Sequence, residues 1–262
     1  HGLMITKRAL QRHIAEFKPT RIIATHFLAP YLLSNTTLPC PLDVVITDYY
    51  PNLVWLGPNV RMFFVATSEI ADTLHTRSTP AIASGIPIHP DFYTTKPTTH
   101  HEIPHIVVMP TGHNTHSSDI VSELNTLSRR ITCTAIAGHD KHLLHKLENL
   151  KKHTSFPYRV FGYTTKTAQL MSEADIIISK PGGLTTTEAL YLRKKLIVIK
   201  PTDGQERYNA DYVIKYNFGL QANNAREAIS HVESIIAEKK HLVTPLPSPI
   251  AQEIILQFPR RT

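Results

Sequence analysis

The amino-acid sequence predicts an α/β protein with two parallel-sheet domains, the first of them short. Two observations carry that prediction. Apolar runs such as Val44-Val45-Ile46 and Ile176-Ile177-Ile178 are continuous rather than alternating, as in strands buried on both faces, and such runs recur between segments of helical period. The alternation breaks once, in the Pro- and Thr-rich stretch from Tyr93 to Pro104, and then restarts.

Residues 4–16 read as a helix that Lys18-Pro19 ends. Strands follow at Arg21–Thr25, Asp43–Thr47 and Met62–Ala66, then a helix from Ser68 to Thr76 and a strand at Ala81–Ser84 running into Gly85-Ile86-Pro87. Beyond the break, strands are predicted at His105–Met109, Ile131–Ile136, Tyr158–Phe161, Asp175–Ser179 and Leu196–Ile199. The helices among and after them cover Asp119–Ser128, Lys141–Lys152, Lys166–Ala174, Glu188–Leu192 and Glu206–Tyr216. Asn224 and Glu227 have the spacing of a capping box and open a helix that runs to Glu238; the Pro245–Pro249 bend precedes a last helical stretch.

The 262 residues and 42% hydrophobic content support real cores. Cys40 and Cys133 lie far apart with no CxxC, which implies neither a disulfide framework nor a zinc knuckle and fits a reducing compartment. No apolar run reaches the roughly 18 residues of a membrane span. The net charge of +7 favours anionic partners, yet Lys151-Lys152, Arg193-Lys194-Lys195 and Lys239-Lys240 sit where helix ends attract cations anyway. Basic residues are not interleaved with stacking aromatics, so nucleic acid is not an expected partner. The chain opens on His1-Gly2 in a helical segment with no strand before it, and an N-terminal portion of the first domain is expected to be missing.

The stretch Ser179-Lys180-Pro181-Gly182-Gly183-Leu184-Thr185-Thr186-Thr187-Glu188 joins a buried strand to a helix. Pro181 stops the strand, Gly182 and Gly183 allow positive φ and close backbone approach, and the Thr run is expected to supply an N-cap hydroxyl beside unpaired amides. That combination suits a phosphate or diphosphate. Gly-Gly also occurs at such turns because helix and strand pack closely there, and the stretch is neither a Walker A loop nor GxGxxG. Glu188, one turn into the helix, would accept hydrogen bonds from a ribose diol; phosphate and diol together describe a nucleotide. The carboxyl ends of other strands carry Asp48, the Pro110-Thr111-Gly112-His113-Asn114 loop, Gly138-His139-Asp140, Phe161-Gly162-Tyr163 and the run from Asp203 to Asn209, the edge where open α/β sheets bind ligands.

Taken in order, Phe161-Gly162-Tyr163, Ser179 to Leu190 and Gly204-Gln205-Glu206-Arg207-Tyr208-Asn209-Ala210 resemble the donor domain of GT-B glycosyltransferases of family 28. Thr47-Asp48-Tyr49, Trp55, Phe64 to Ser68 and Ser84-Gly85-Ile86-Pro87-Ile88 resemble its diacylglycerol glycosyltransferase branch, bacterial processive glucosyltransferases and plant monogalactosyldiacylglycerol synthases. The resemblance covers residues from about Phe17 to Asn217. It implies a GT-B fold of two Rossmann-like parallel-sheet domains with the first truncated. Residues 1–92 would be the C-terminal part of the acceptor-side domain, 93–104 a linker, 105–244 the UDP-sugar domain, and 245–262 a helix packing back toward the first domain.

The resemblance further implies transfer of a hexose from UDP-glucose or UDP-galactose to a lipid hydroxyl, that of diacylglycerol or a glycosyl-diacylglycerol. No cofactor or metal is implied. The protein would be peripheral, docked by basic side chains on an anionic membrane surface at the cytoplasmic face, or on the plastid envelope in a plant. Main chain at Phe161, Gly162 and Tyr163 would hold the uracil; Gly182, Gly183, Thr185 and Thr186 the diphosphate; Glu188 the ribose; Gln205 and Glu206 the sugar, with Asn209 bracing or joining that loop and Gly112 also binding the donor. The family's general base is expected before His1, in a Gly-His loop, with Asp48 the alternative.

Three departures stand against this pattern. Nothing precedes His1, Asn52 replaces a histidine of the lipid branch, and the Pro110–Asn114 loop keeps only Gly112, with His113 and His116 nearby. They bear on catalysis more than on donor binding, and they support a second reading: a non-catalytic or partner-dependent sugar-nucleotide module, with a partner chain supplying the missing part. A UDP-sugar epimerase on the same architecture is the third. Simpler readings compete at single residues, with Asp48 or Asp140 as caps or turn residues, Trp55 and Phe63 as core rather than a lipid-facing patch, and Glu206 as a helix starter.

Overall fold

The computed structural model describes residues 2–98, 102–111, 117–238 and 251–258. The chain divides into two compact units, His1–Pro87 with Ser248–Thr262, and Ile88–Pro247.

The first unit is a four-stranded parallel sheet of β1 (Ile22–Ala24), β2 (Leu42–Val45), β3 (Val60–Val65) and β4 (Ala81–Ala83) in that spatial order. Helices α1 (Gly2–Phe17), α2 (Leu28–Leu33) and α3 (Ser68–His75) accompany it. Every residue of β2 is buried, including Asp43. Burying a carboxylate requires charged partners, and it has two: Arg21 Nε at 2.6 Å and Arg61, whose Nε lies 2.9 Å from Oδ1 and whose Nη2 contacts Oδ2. Arg21 Nη1 also donates to the Ile255 carbonyl at 2.7 Å, and the Arg61 guanidinium lies 5.1 Å from the centre of the Phe258 ring. Through these contacts and the packing of Ile255 on Val45 and Phe64, the C-terminal helix Ala251–Gln257 belongs to this unit.

The second unit begins with the short helix α4 (Pro90–Thr94) and holds a six-stranded parallel sheet. Its strands are β5 (His105–Val108), β6 (Thr132–Ile136), β7 (Tyr158–Phe161), β8 (Ile176–Ser179), β9 (Lys195–Ile199) and β10 (Gly219–Ala222), in spatial order β10-β9-β8-β5-β6-β7. The helices in chain order are α5 (Ser117–Glu123), α6 (Lys141–Leu150), α7 (Thr167–Ser172), α8 (Gly183–Tyr191), α9 (Gln205–Lys215) and α10 (Ala225–Glu238), and the last, Ala251–Gln257, is α11. Ile106, Val107 and Val108 are all fully buried, so β5 is covered on both faces. One face carries Ile106, Val108, Ile178 and Ile197 into a cluster with residues of α5, α6 and α10.

Residues 93–98 lie against the second unit. Tyr93 packs edge-on against Tyr191 at 5.2 Å, Thr98 N donates to the Ser172 carbonyl, and Lys194 Nζ donates to the Thr98 carbonyl. Three elements are additions to the sequence reading: α2 and α4, each built around a proline, and β10. Gly219 opens β10 because a Cβ there would fall 2.0 Å from the Leu196 carbonyl oxygen of β9.

Candidate functional site in the second unit

From β5 the chain winds to β6 and β7 on one side, then crosses to β8, β9 and β10 on the other. The switch point therefore falls between β5 and β8, and parallel sheets bind ligands outside the carboxyl ends of the strands at that point. The turn that follows β8 at this edge is Lys180-Pro181-Gly182-Gly183.

Two details of this turn correct the sequence expectation. The cap of α8 is Gly182, with no side-chain hydrogen bond, and the three threonines lie inside the helix. The helix starts at Gly183 because the run Leu184-Thr185-Thr186-Thr187 is turned into the first two turns; Thr187 Oγ1 donates back to the Gly183 carbonyl at 2.7 Å instead of capping. Gly182 has φ −74° and ψ 140°, and neither Gly182 nor Gly183 has positive φ. A Cβ on Gly182 would meet nothing within 4 Å, so neither conformation nor internal packing demands glycine there.

The helix start presents backbone amides with no side-chain cap, the positive end of the α8 dipole. Thr185 is half-buried, whereas Thr186 is fully buried and its hydroxyl has no hydrogen-bond partner among the described residues. One turn on, Glu188 is half-buried, and burial pushes its carboxyl up to about 7. Among the described residues that carboxylate has no hydrogen-bond or ion-pair partner. A half-buried acid without a partner among the described residues, one turn beyond a helix start with no side-chain cap, marks a candidate functional site.

The loop after β9 is tied to the same turn. Asn209, 1% exposed, donates through Nδ2 to the Pro181 carbonyl at 3.0 Å, so it braces the turn from within the protein. Glu206 Oε2 accepts from Thr202 N at 3.1 Å and from Thr202 Oγ1 at 2.7 Å, and its Oε1 lies 3.1 Å from Lys180 Nζ. Burial alone would raise the Glu206 carboxyl, but the Thr202 hydrogen bonds and the Lys180 ammonium outweigh it and hold it below its ordinary value. Gln205 starts α9 and is half-buried, and Gly204 before it has φ 101°, a conformation that favours glycine. Thus 180–188 and 202–209 form one cluster. Lys180 and Thr202 were not singled out in the sequence, since their partner Glu206 declares itself only through the fold.

The third group stands farther along the edge. Phe161 and Gly162 are half-buried; Tyr163, 66% exposed, stacks on His139 with ring centres 4.2 Å apart. Gly138, with φ 63°, makes the turn that presents His139, and Asp140 caps α6 by accepting from Leu143 N. β7 and β8 are three strand spacings apart, roughly 14 Å. Gly112, Asn114, His113 and His116 lie outside the described residues. In the first unit Asp48 is half-buried at the end of β2 and already has a partner in the protein. Trp55 and Phe63 are core residues, each 1% exposed. Among the described residues no group of three His, Cys, Asp or Glu side chains is placed to hold a metal ion, and no helix is long and apolar enough to cross a membrane.

Comparison with known proteins gives the family and the fold. The processive diacylglycerol beta-glucosyltransferase of Bacillus subtilis is 26% identical over 245 residues, covering 87% of this chain and 64% of that protein. The chain thus spans about two thirds of the length of such relatives, from 62% to 66%. Two solved structures share the fold at low identity: MurG of Acinetobacter baumannii (TM-score 0.66, 11% identity, 97% of this chain and 77% of that one) and the UDP-GlcNAc 2-epimerase of Neisseria meningitidis bound to UDP-GlcNAc (0.68, 15%, 97% and 80%). The fold is GT-B. The family description "Monogalactosyldiacylglycerol (MGDG) synthase" matches residues 3–88, and "Glycosyltransferase family 28 C-terminal domain" matches residues 118–253. The second match takes in just over half of the chain and the whole turn-and-loop cluster built above, and with it the chain belongs to glycosyltransferase family 28.

Proposed function

We propose that the protein transfers a hexose from a UDP-sugar to the hydroxyl of diacylglycerol or a glycosyl-diacylglycerol, acting as a peripheral protein at the cytoplasmic face of a membrane. The observation that carries this reading is Glu188, an acid unpaired among the described residues, one turn beyond an uncapped helix start that a glycine leaves open. Names of the relatives, and the match of residues 3–88 to the MGDG synthase family, support the lipid acceptor. The surplus of basic residues supports docking on anionic lipid.

In this reading the diphosphate sits on the amides of Gly183 and the following residues, with Thr185 and Thr186 offering hydroxyls. Glu188 accepts from the ribose diol. The uracil lies toward Phe161, Gly162 and Tyr163, and Gln205 and Glu206 take sugar hydroxyls. As the acceptor oxygen bonds to the anomeric carbon, the bond from that carbon to the diphosphate breaks, and the charge left on UDP is stabilised by the α8 amides and dipole. The acceptor's proton passes to a base of the acceptor side, for which Asp48 is the residue to test on this chain.

Titration calorimetry with UDP, UDP-glucose and UDP-galactose tests the seat, and mass analysis of vesicles containing diacylglycerol tests the transfer. Binding of the uridine nucleotides that Glu188→Ala abolishes is the expected result. Equal binding of other nucleotides, or conversion of the sugar nucleotide without any acceptor, would overturn the proposal.

A further inference from the structure

Resting on the reading that the turn after β8 seats a sugar nucleotide, we propose that Lys180 is a latch between the two halves of the donor. Without nucleotide its ammonium pairs with Glu206; with nucleotide it passes to the diphosphate and releases Glu206 to the sugar.

The geometry supplies each part. Lys180 is the first residue past β8, and its backbone is fixed, because its carbonyl accepts from Gly182 N at 2.9 Å and from Ser179 Oγ at 2.9 Å. The next residue is fixed as well, by Asn209 on the Pro181 carbonyl. The side chain is 49% exposed, so the head can move while the stem's root cannot. Glu206 is held differently on its two oxygens. Thr202 clamps Oε2 with a main-chain and a side-chain donor, whereas Oε1 is held by Lys180 at 3.1 Å. Removing the ammonium leaves a carboxylate oriented by Thr202 with Oε1 open, an acceptor aimed from the start of α9 for a sugar hydroxyl.

A diphosphate on the α8 start brings two negative charges to the residue-180 side of the turn, against one on Glu206. A compact ammonium on a flexible stem follows the larger charge. Glu206 therefore competes with the nucleotide for Lys180, and sugar recognition becomes available only once the diphosphate is seated. Lys180 acts on the sugar through Glu206 and is a positioning residue in that role.

The test is a double-substitution cycle on the full chain, read by calorimetry with UDP, UDP-glucose and UDP-galactose. Glu206→Gln is expected to tighten UDP about tenfold, because the ammonium no longer leaves a carboxylate when the phosphate arrives. Lys180→Met weakens UDP, Lys180→Arg restores most of the loss, and adding Glu206→Gln to Lys180→Met brings no tightening. The advantage of UDP-hexose over UDP shrinks in Glu206→Gln. A gain of affinity that needs Lys180 is the diagnostic, since relief of repulsion between the carboxylate and the diphosphate would raise affinity with or without the ammonium. UDP affinity unchanged or weakened in Glu206→Gln, or a gain that persists without Lys180, overturns the latch while leaving the donor site standing. A parent chain that binds none of the three nucleotides overturns both.

Discussion

Glu188 makes the donor-site reading sensitive to pH in a direction that can be worked out beforehand. Its carboxyl is displaced from 4.5 to about 7 by burial. That displacement corresponds to roughly 3 kcal/mol of preference for the protonated form, which solvent screening of a half-buried group reduces to about 2 kcal/mol. In the unfolded chain Glu188 loses its proton near pH 4.5; in the folded chain it keeps it until about pH 7. The folded state binds the extra proton in that window, so this residue's contribution to stability falls as pH rises from 4.5 to 7 and is flat on either side.

Binding the diol has the opposite preference, because the hydroxyls donate to an ionised carboxylate. A UDP-hexose should therefore expel the proton, with close to one proton released per nucleotide bound at pH 6 and close to none at pH 8, and about a tenfold loss of affinity between pH 8 and pH 6. UDP-hexose is the ligand to use, since its diphosphate is fully esterified, whereas the terminal phosphate of UDP itself titrates with a pKa of about 6. Calorimetry at each pH in two buffers of different ionisation enthalpy counts the protons. Glu188→Gln should flatten the profile and weaken binding at pH 8 by about 1.5–3 kcal/mol, the value of a charge-assisted hydrogen bond. A histidine near the diphosphate would give the reverse sign, taking up a proton on binding. Buffer-independent enthalpy at pH 6, or the same fall in Glu188→Gln, refutes the assignment of Glu188 to the ribose.

Gly182→Ala should leave the fold within about 1 kcal/mol of the parent, because φ is −74° and the added methyl meets nothing; the same methyl should cost UDP affinity tenfold or more, and an unchanged dissociation constant would remove the turn from the site. Asn209→Ala leaves the Pro181 carbonyl without that donor and should destabilise the second unit by about 1–3 kcal/mol in urea unfolding. Asp43→Ala leaves Arg21 and Arg61 without their carboxylate and should cost about 3–5 kcal/mol in the first unit, loosening α11, seen as faster amide exchange across 251–258. Donor binding by the second unit should be untouched by that change.

The parallel strands were legible because burial on both faces leaves no room for alternation: β5, β8 and β9 appear in the sequence as unbroken runs of Ile, Val and Leu within one residue of their ends. β10 was not, because Gly-Leu-Gln-Ala is an edge strand whose first residue is chosen for its close approach to Leu196 rather than for its side chain. The helices α2 and α4 are short and carry Pro30 and Pro90 in their first turns, where proline is tolerated although it gives no helical signal of its own. Capping shows the same divide. Asn224 with Glu227 was readable because both partners are local: Asn224 Oδ1 accepts from Glu227 N at 2.9 Å, and Glu227 reaches back one residue farther than the usual box, to Asn223 N at 2.8 Å.

At the site, residue types were readable and their engagements were not. Gly182, Glu188 and Asn209 stand out in the sequence, but only the fold tells that the first is left open, the second unpaired among the described residues and the third spent on Pro181. Glu206 looked like a donor ligand or a helix starter, and the structure gives it a third engagement, with Lys180 twenty-six positions earlier in the turn after β8. Such a pair has no periodicity to betray it, since its spacing is set by the length of α8 and β9 and not by either residue. That is also why it is informative. On the proposed reading, an ion pair joining the turn after β8 to the loop after β9 would couple the two loops assigned to the two ends of one donor.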